Sequence, residues 1–234
     1  MNQAVSNVPA AYADGLMETT LEAYWRAALA RTVERGFQYR VKRVVDLLSA
    51  TILLVILSPV WLVIAVAIKL SGPGPVLYRQ RRVGKDWQEF TLLKFRTMVN
   101  GAEGMRAEVN ELNQASGPLF KATNDPRVTA VGRVLRRTFI DEIPQLINVI
   151  RGEMSLVGPR PCLPEEIAQI EEAMYFRFAV PQGITGPWQT NGYHSLPFRD
   201  QLAVELDYVQ RWSVARDLTI LAKTIPIVLG RQGR

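Results

Sequence analysis

The 234-residue chain contains one cysteine, Cys162, and one histidine, His194. A lone cysteine permits no internal disulfide and no thiolate cluster for zinc, and a lone imidazole excludes poly-histidine metal sites and mechanisms needing two imidazoles. Both residues are expected to be structural, so any phosphate chemistry must be carried by carboxylates and cations. Glycine (16) and proline (14) are not enriched, which removes collagenous and low-complexity classes, and a 48% hydrophobic content is too high for a disordered chain. Acidic residues are the minority charge, 22 against 28 basic, and the resulting +6 favours an anionic partner: nucleic acid, phospholipid headgroups or a phosphorylated substrate. The length fits one catalytic domain and excludes a multi-span transporter.

What the chain does have is a long stretch without charge. Leu47 to Ile68 reads LLSATILLVILSPVWLVIAVAI, and about 20 such residues suffice to cross a bilayer as a helix. Ser58 and Pro59 fall at its middle, where a proline removes one helical donor and clashes with the preceding turn. The Ser58 hydroxyl can occupy a backbone group freed there. Basic residues flank both ends, Arg40, Lys42 and Arg43 before and Lys69, Arg79, Arg81, Arg82 and Lys85 after. Both ends thus favour the cytoplasm, which a helix-break-helix hairpin entering and leaving one leaflet satisfies and a spanning helix does not. Residues 40–72 are therefore read as a re-entrant, monotopic anchor, with a kinked single span as the rival.

Residues 1–39 form an N-terminal extension. Behind a Thr19 to Glu22 capping box, Leu21, Tyr24, Trp25, Ala28, Leu29, Thr32 and Val33 recur at helical spacing, which predicts an amphipathic helix lying on a membrane or partner, or packed on its own domain. No secretory leader is expected, because the polar start precedes any apolar run. Residues 73–234 read as a compact α/β, mostly helical domain. It opens on the Gly72-Pro73-Gly74-Pro75 turn, has a short apolar run at Phe90–Leu93 and a helical-looking stretch at Arg133–Ile150, and ends in an apolar-faced, bent helical tail over 201–229.

The densest chemical constellation lies between Lys121 and Pro161. Lys121, Arg127, Arg133, Arg136, Arg137, Arg151 and Arg160 surround adjacent carboxylates, Asp141 and Glu142, placed at the head of a helix whose expected apolar face is Ile143, Leu146, Ile147 and Ile150. Pro144 suits a first turn, so exposed backbone donors near Asp141 would favour an anion. Such a pair can divide labour between attack on phosphorus and holding a divalent cation. Locally, an N-cap with surface ion pairs explains the same residues.

The segments SGPGPVLYRQRRVGKDWQEFTLLKFRTM, DPRVTAVGRVLRRTFIDEIPQLINVIRGEMSLVGPRP and GITGPWQTNGY follow a basic-flanked Ser-Pro hairpin in that order. Together, over roughly residues 40–229, they resemble the bacterial sugar transferases known as monotopic phosphoglycosyl transferases. The resemblance implies a re-entrant membrane helix, interfacial amphipathic helices and a small catalytic domain on the cytoplasmic face of the bacterial inner membrane. It implies transfer of a sugar phosphate from a UDP-sugar to polyprenyl (undecaprenyl) phosphate, releasing UMP and using Mg²⁺, as the initiating step of exopolysaccharide or other surface glycan synthesis. In this family's pattern Asp141 is the nucleophile that forms a covalent phosphosugar intermediate, and Glu142 lies with it at Mg²⁺. Arg136 offsets charge on the transferred phosphoryl group. Pro159, Arg160 and Pro161 match the nucleotide-sugar signature, where a guanidinium suits a phosphate. Lys94, Arg96 and Arg127 are further substrate-side candidates, and Ser58-Pro59 matches the break of the re-entrant helix.

Two positions depart from the family pattern. Tyr193 stands where an arginine is usual, with Arg199 as the candidate substitute, and Trp87 stands where glycine is common, read here as an interfacial aromatic. Tyr193 also motivates the alternative of a catalytically silent membrane scaffold. A nucleic-acid partner rests on charge alone and leaves the apolar run unexplained, so none is expected. Which sugar is moved (glucose, galactose or an N-acetylated one) and whether the extension mediates homo-oligomer formation stay open. For the anchor, cysteines at positions 38 and 74 should label from the same face of the membrane; labelling from opposite faces would refute the hairpin.

Overall fold

The charge-free run folds within a single 35-residue helix, α1, Gly36–Leu70, about 52 Å long at 1.5 Å per residue. The computed structural model describes residues 36–105, 107–113, 122, 124–167, 172–190 and 198–230. The amphipathic helix expected over residues 19–33 lies outside them, and the described part of α1 already includes residues ahead of the expected 40. The helix continues through Ser58 and Pro59. Pro59 cannot donate to Val55 O, and Ser58 Oγ does so instead at 2.8 Å, so the serine takes up the carbonyl that the proline orphans.

Packing against the domain gives α1 two faces. Lys42, Asp46, Ala50, Ile64 and Ile68 are buried, whereas Leu48, Ile52, Val55, Leu62, Val66 and Leu70 on the other side are between 51% and 82% exposed. Among the described residues, α1 is the one helix long and apolar enough to cross a membrane, and its outward stripe suits membrane anchorage.

Beyond the glycine-proline turn, β1 (Leu77–Val83) and β2 (Glu89–Phe95) form an antiparallel ribbon that pairs Tyr78 with Lys94, Gln80 with Leu92 and Arg82 with Phe90. Their link holds Asp86 and Trp87 at φ 52° and 61°, the left-handed region that glycine adopts most readily. Trp87 is not interfacial, as the sequence suggested. It is 4% exposed and packs on Tyr175 and Phe178 with ring centroids 4.9 and 4.4 Å away. Aromatic burial outweighs the strained backbone. Cys162 joins this core as the structural residue expected, while His194 lies outside the described residues.

The stretch expected to be helical from Arg133 to Ile150 is instead two helices, α2 (Ala130–Arg137) and α3 (Gln145–Arg151), separated by a 3₁₀ turn at Ile140–Glu142. Phe139 at φ 57° stops α2, and Pro144 restarts the chain. On α3 the buried residues are Gln145, Leu146, Asn148 and Val149. Of the expected face of Ile143, Leu146, Ile147 and Ile150 only Leu146 is buried; the helix turns instead to bury the polar Asn148, whose side chain accepts from Leu93 N and donates to Thr91 O, locking α3 to β2. Gly132 lets α2 lie directly on Thr97, since a Cβ there would collide with the Thr97 carbonyl.

The strands β3 (Ser155–Val157) and β4 (Gly183–Thr185) pair in parallel across a crossover containing α4 (Pro164–Ile167) and a 3₁₀ stretch at Glu172–Ala179. Then come α5 (Pro187–Thr190), α6 (Phe198–Gln210) and α7 (Val214–Leu229). The tail breaks before Ser213, whose side chain accepts from Arg216 N at 3.2 Å and caps α7, whereas Pro226, where the sequence suggested a bend, lies within α7.

Both ends of α1 are fastened to the domain. At its start Lys42 Nζ donates to Val157 O at 2.9 Å and to Asp217 Oδ2 at 2.7 Å. Asp217 also accepts from Tyr208 Oη and Trp212 Nε1, and Asp46 accepts from Ser155 Oγ and Leu156 N. At its end Ile64 and Ile68 pack with Phe95 and Leu135, and Arg96 donates to the carbonyls of Ile68, Gly72 and Pro73. Gly74, at φ 118°, has no room for a Cβ beside Arg96, so Ser71 is a better labelling position than 74.

Removing Lys42 leaves the Asp217 carboxylate buried without its cation. Lys42→Ala should cost about 3–5 kcal/mol, read as a lowered thermal midpoint of the detergent-solubilised protein. The double replacement Lys42→Met with Asp217→Leu should recover part of that loss.

Candidate active site

Asp141 and Glu142 sit side by side in the 3₁₀ turn, which the left-handed Phe139 aims back at β2. Lys94, projecting from β2, donates to Glu142 Oε1 at 2.6 Å. Asp141 is 8% exposed. Burial pushes its carboxyl up from the usual 3.8 to about 6, with Lys94 and Arg136 opposing and the adjacent Glu142 charge adding to the rise. It does not cap α3 as the sequence suggested, because Pro144 holds that position without a side-chain cap. Arg136, on α2, donates to Thr97 Oγ1 at 2.9 Å and faces the charges of Asp141 and Asp125.

In front of this turn lies a cavity of about 470 Å³. Its polar residues include Arg82, Lys94, Glu142, Gln145 and Arg160, and its apolar ones include Leu53, Leu57, Ile184, Trp188 and Ile227. The neighbours Ile140 and Glu142 face the cavity, with Asp141 between them in sequence. Arg160 and Pro161 of the Pro-Arg-Pro segment form another part of the wall, with Pro159 behind it. Gly183 N donates to Pro159 O at 2.8 Å, Arg82 Nη1 donates to Pro161 O at 2.9 Å, and Arg160 N donates to Glu205 Oε1 at 2.9 Å. The backbone is therefore pinned while the Arg160 side chain stays about one-third exposed.

The structure thus gathers Lys94, Arg136, Asp141, Glu142, Pro159, Arg160 and Pro161. It does not bring Arg96 or Arg127 to the cavity. Arg96 closes the end of α1. Arg127 forms a buried two-pronged pair with Asp125, Nε–Oδ1 2.9 Å and Nη2–Oδ2 2.7 Å, which holds the Asp125 carboxyl below its usual range. Tyr193 lies outside the described residues, as does the side chain of Arg199. Sequence reasoning missed Arg82, treating it only as flanking charge. It is 7% exposed, and burial together with Arg160 lowers its guanidinium to about 10. Two-residue alternation along β1, in register with Lys94 on β2, was the available signal. Glu166 lies 3.9 Å from Arg82 and 3.5 Å from Arg160. Two guanidiniums sharing one carboxylate leave net positive charge for an anionic ligand.

Among the described residues no group of three or more His, Cys, Asp or Glu could hold a metal ion. Two carboxylates still fit Mg²⁺, which is commonly bound by one or two carboxylates together with substrate phosphates.

Residues 37–231 match the model of the bacterial sugar transferases. The chain belongs to this family. It is 42% identical over 196 residues to the exopolysaccharide production protein ExoY of Rhizobium meliloti strain 1021, covering 82% of this chain and 87% of that protein. It is 41% identical over 197 residues to the UDP-glucose:undecaprenyl-phosphate glucose-1-phosphate transferase of Caulobacter vibrioides, covering 80% and 69%. The undecaprenyl-phosphate galactose phosphotransferase of Salmonella typhimurium is 37% identical over 202 residues, covering 82% of this chain and 41% of that longer protein. The protein is therefore a membrane-associated bacterial transferase.

Asp141 is held ionised at a cost to the transferase fold. Its folded pKa exceeds the unfolded one, so its contribution to stability improves as pH falls through about 6 towards 3.8. Asp141→Asn should stabilise the protein by up to ~3 kcal/mol above pH 7, an advantage that shrinks between pH 6 and 4 in thermal unfolding run across pH.

Proposed function

We propose that this transferase moves a sugar 1-phosphate from a UDP-sugar to undecaprenyl phosphate, releasing UMP, through a covalent intermediate on Asp141. The observation that carries the reading is the placement of Asp141 and Glu142 between Lys94 and Arg136, beside a cavity whose wall holds Arg82 and Arg160. The names of the relatives, which specify undecaprenyl phosphate with glucose or galactose, support the same donor and acceptor classes.

In the first half of the reaction an Asp141 carboxylate oxygen attacks the β-phosphorus of the donor. The bond from that phosphorus to the bridging oxygen breaks, and UMP leaves with the oxygen. Arg160 and Arg82 bind the diphosphate, and Lys94 and Arg136 offset charge on the transferred phosphoryl oxygens. In the second half a phosphate oxygen of the acceptor attacks the same phosphorus, forming the lipid diphosphosugar and freeing the carboxylate. Glu142 and Asp141 would hold Mg²⁺, which neutralises phosphate oxygens when bound. Burial of Asp141 serves the chemistry: a poorly hydrated carboxylate is a stronger nucleophile, at the expense of needing a pH above about 6 to be ionised.

The anchor belongs to this reading too. A spanning helix would carry one end of α1 to the far side of the bilayer, yet both ends touch the same domain. We therefore favour a monotopic attachment on the cytoplasmic face, with α1 entering and leaving one leaflet and Ser58-Pro59 as its point of deflection.

Purified protein in nanodiscs, given undecaprenyl phosphate, Mg²⁺ and a panel of UDP-sugars, should release UMP with one of them. Asp141→Asn should abolish release, and wild-type kcat/KM should rise with pH through about 6. Release undiminished in Asp141→Asn would refute the covalent route.

A further inference from the structure

We infer that the apolar part of the cavity, between α1 and α7, seats the first isoprene units of the acceptor's hydrocarbon chain. This rests on the acceptor proposed above and goes further by assigning the chain to a particular wall.

The wall is made by two helices. Leu53 and Leu57 of α1 and Ile227 and Val228 of α7 line the cavity, while Ile52 and Ile56 of α1 and Ile225 and Leu229 of α7 are 56% to 75% exposed. The helices that enclose the apolar part of the cavity therefore also carry the molecule's outward apolar surface. A chain seated between them can run onto that surface without crossing a polar zone.

The polar and apolar parts of this one cavity match an amphiphile. Arg82, Lys94 and Arg160 supply an anion site, and the four aliphatic side chains supply no hydrogen-bond partner. Thr185, Gln189 and Thr224 also line the cavity, but a hexose hydroxyl turned to the four aliphatic side chains would go unpaired, a cost of about 1–3 kcal/mol for each buried group, whereas an isoprenoid gains from the same burial. The acceptor, a phosphate on a branched hydrocarbon chain, fits both parts at once. A UDP-sugar fits only the polar part.

Filling the wall should separate the two substrates. In nanodiscs, Leu57→Trp and Ile227→Trp should each raise the KM for undecaprenyl phosphate roughly tenfold, the equivalent of losing one or two buried methylenes, and leave the donor KM unchanged. A donor KM that rises while the acceptor KM stays put, or no change in either constant, would overturn the inference. Unaltered protein provides a reading independent of turnover. Photolysis of a benzophenone-bearing isoprenyl phosphate should label peptides containing residues 53–57 and 224–228, and undecaprenyl phosphate should compete the label away. Label spread along the exposed stripe of α1, or insensitive to competitor, would overturn the assignment. Competed label at the wall without UMP release would leave the lipid site standing and count against the proposed reaction instead.

Discussion

A single buried ammonium organises much of this fold. Lys42 brings positive charge into the interior, where it is tolerable only with close partners, and those partners arrive from distant parts of the chain: the β3 carbonyl of Val157 and the carboxylate of Asp217 on α7. Tyr208 and Trp212 complete the hydrogen bonding of that carboxylate. Apolar contacts alone would leave α1 free to rotate or slide, since its residues are nearly interchangeable in hydrophobicity. The polar knot fixes both its rotation and its register.

That fixation reaches the reaction centre by short routes. β3 leads directly into the loop carrying Pro159, Arg160 and Pro161, and Arg43, one residue after Lys42, donates to the last carbonyls of α3 at Val149 and Ile150. The turn bearing Asp141 and Glu142 immediately precedes α3. The long apolar helix, the Pro159-Arg160-Pro161 loop and the turn that carries the carboxylates therefore share one framework. Arg96 secures the other end of α1, so the helix is held at two points with its apolar stripe outward between them.

Much of this was legible in the sequence because its signals are local. A charge-free run of 22 residues between basic flanks announces an anchor, and a carboxylate pair among arginines announces anion chemistry. The misplacements occurred where tertiary contacts decide. Arg96 and Arg127 resemble Arg160 in sequence, yet one closes a helix end and the other neutralises Asp125. Trp87 sits in a polar run that suggests exposure, and only the approach of Tyr175 and Phe178 from nearly 90 residues away buries it. Arg82 was hidden in a cluster of like charges from which pairing with β2 selects one. The break between α2 and α3 depends on Phe139 adopting a left-handed conformation, for which a phenylalanine gives no warning. Position 193, the sharpest departure from the family pattern, lies outside the described residues.

Because α1 contributes Ala50, Ile64 and Ile68 to the interior while turning the rest of its surface outward, membrane attachment here is not a detachable module. Trimming the helix away would strip the core and orphan Asp217, so no water-soluble fragment of the enzyme can be expected to retain the native catalytic architecture. Selection on this helix consequently acts under two solvents at once: one stripe answers to protein packing and the other to lipid, and a substitution neutral for either can be ruinous for the other.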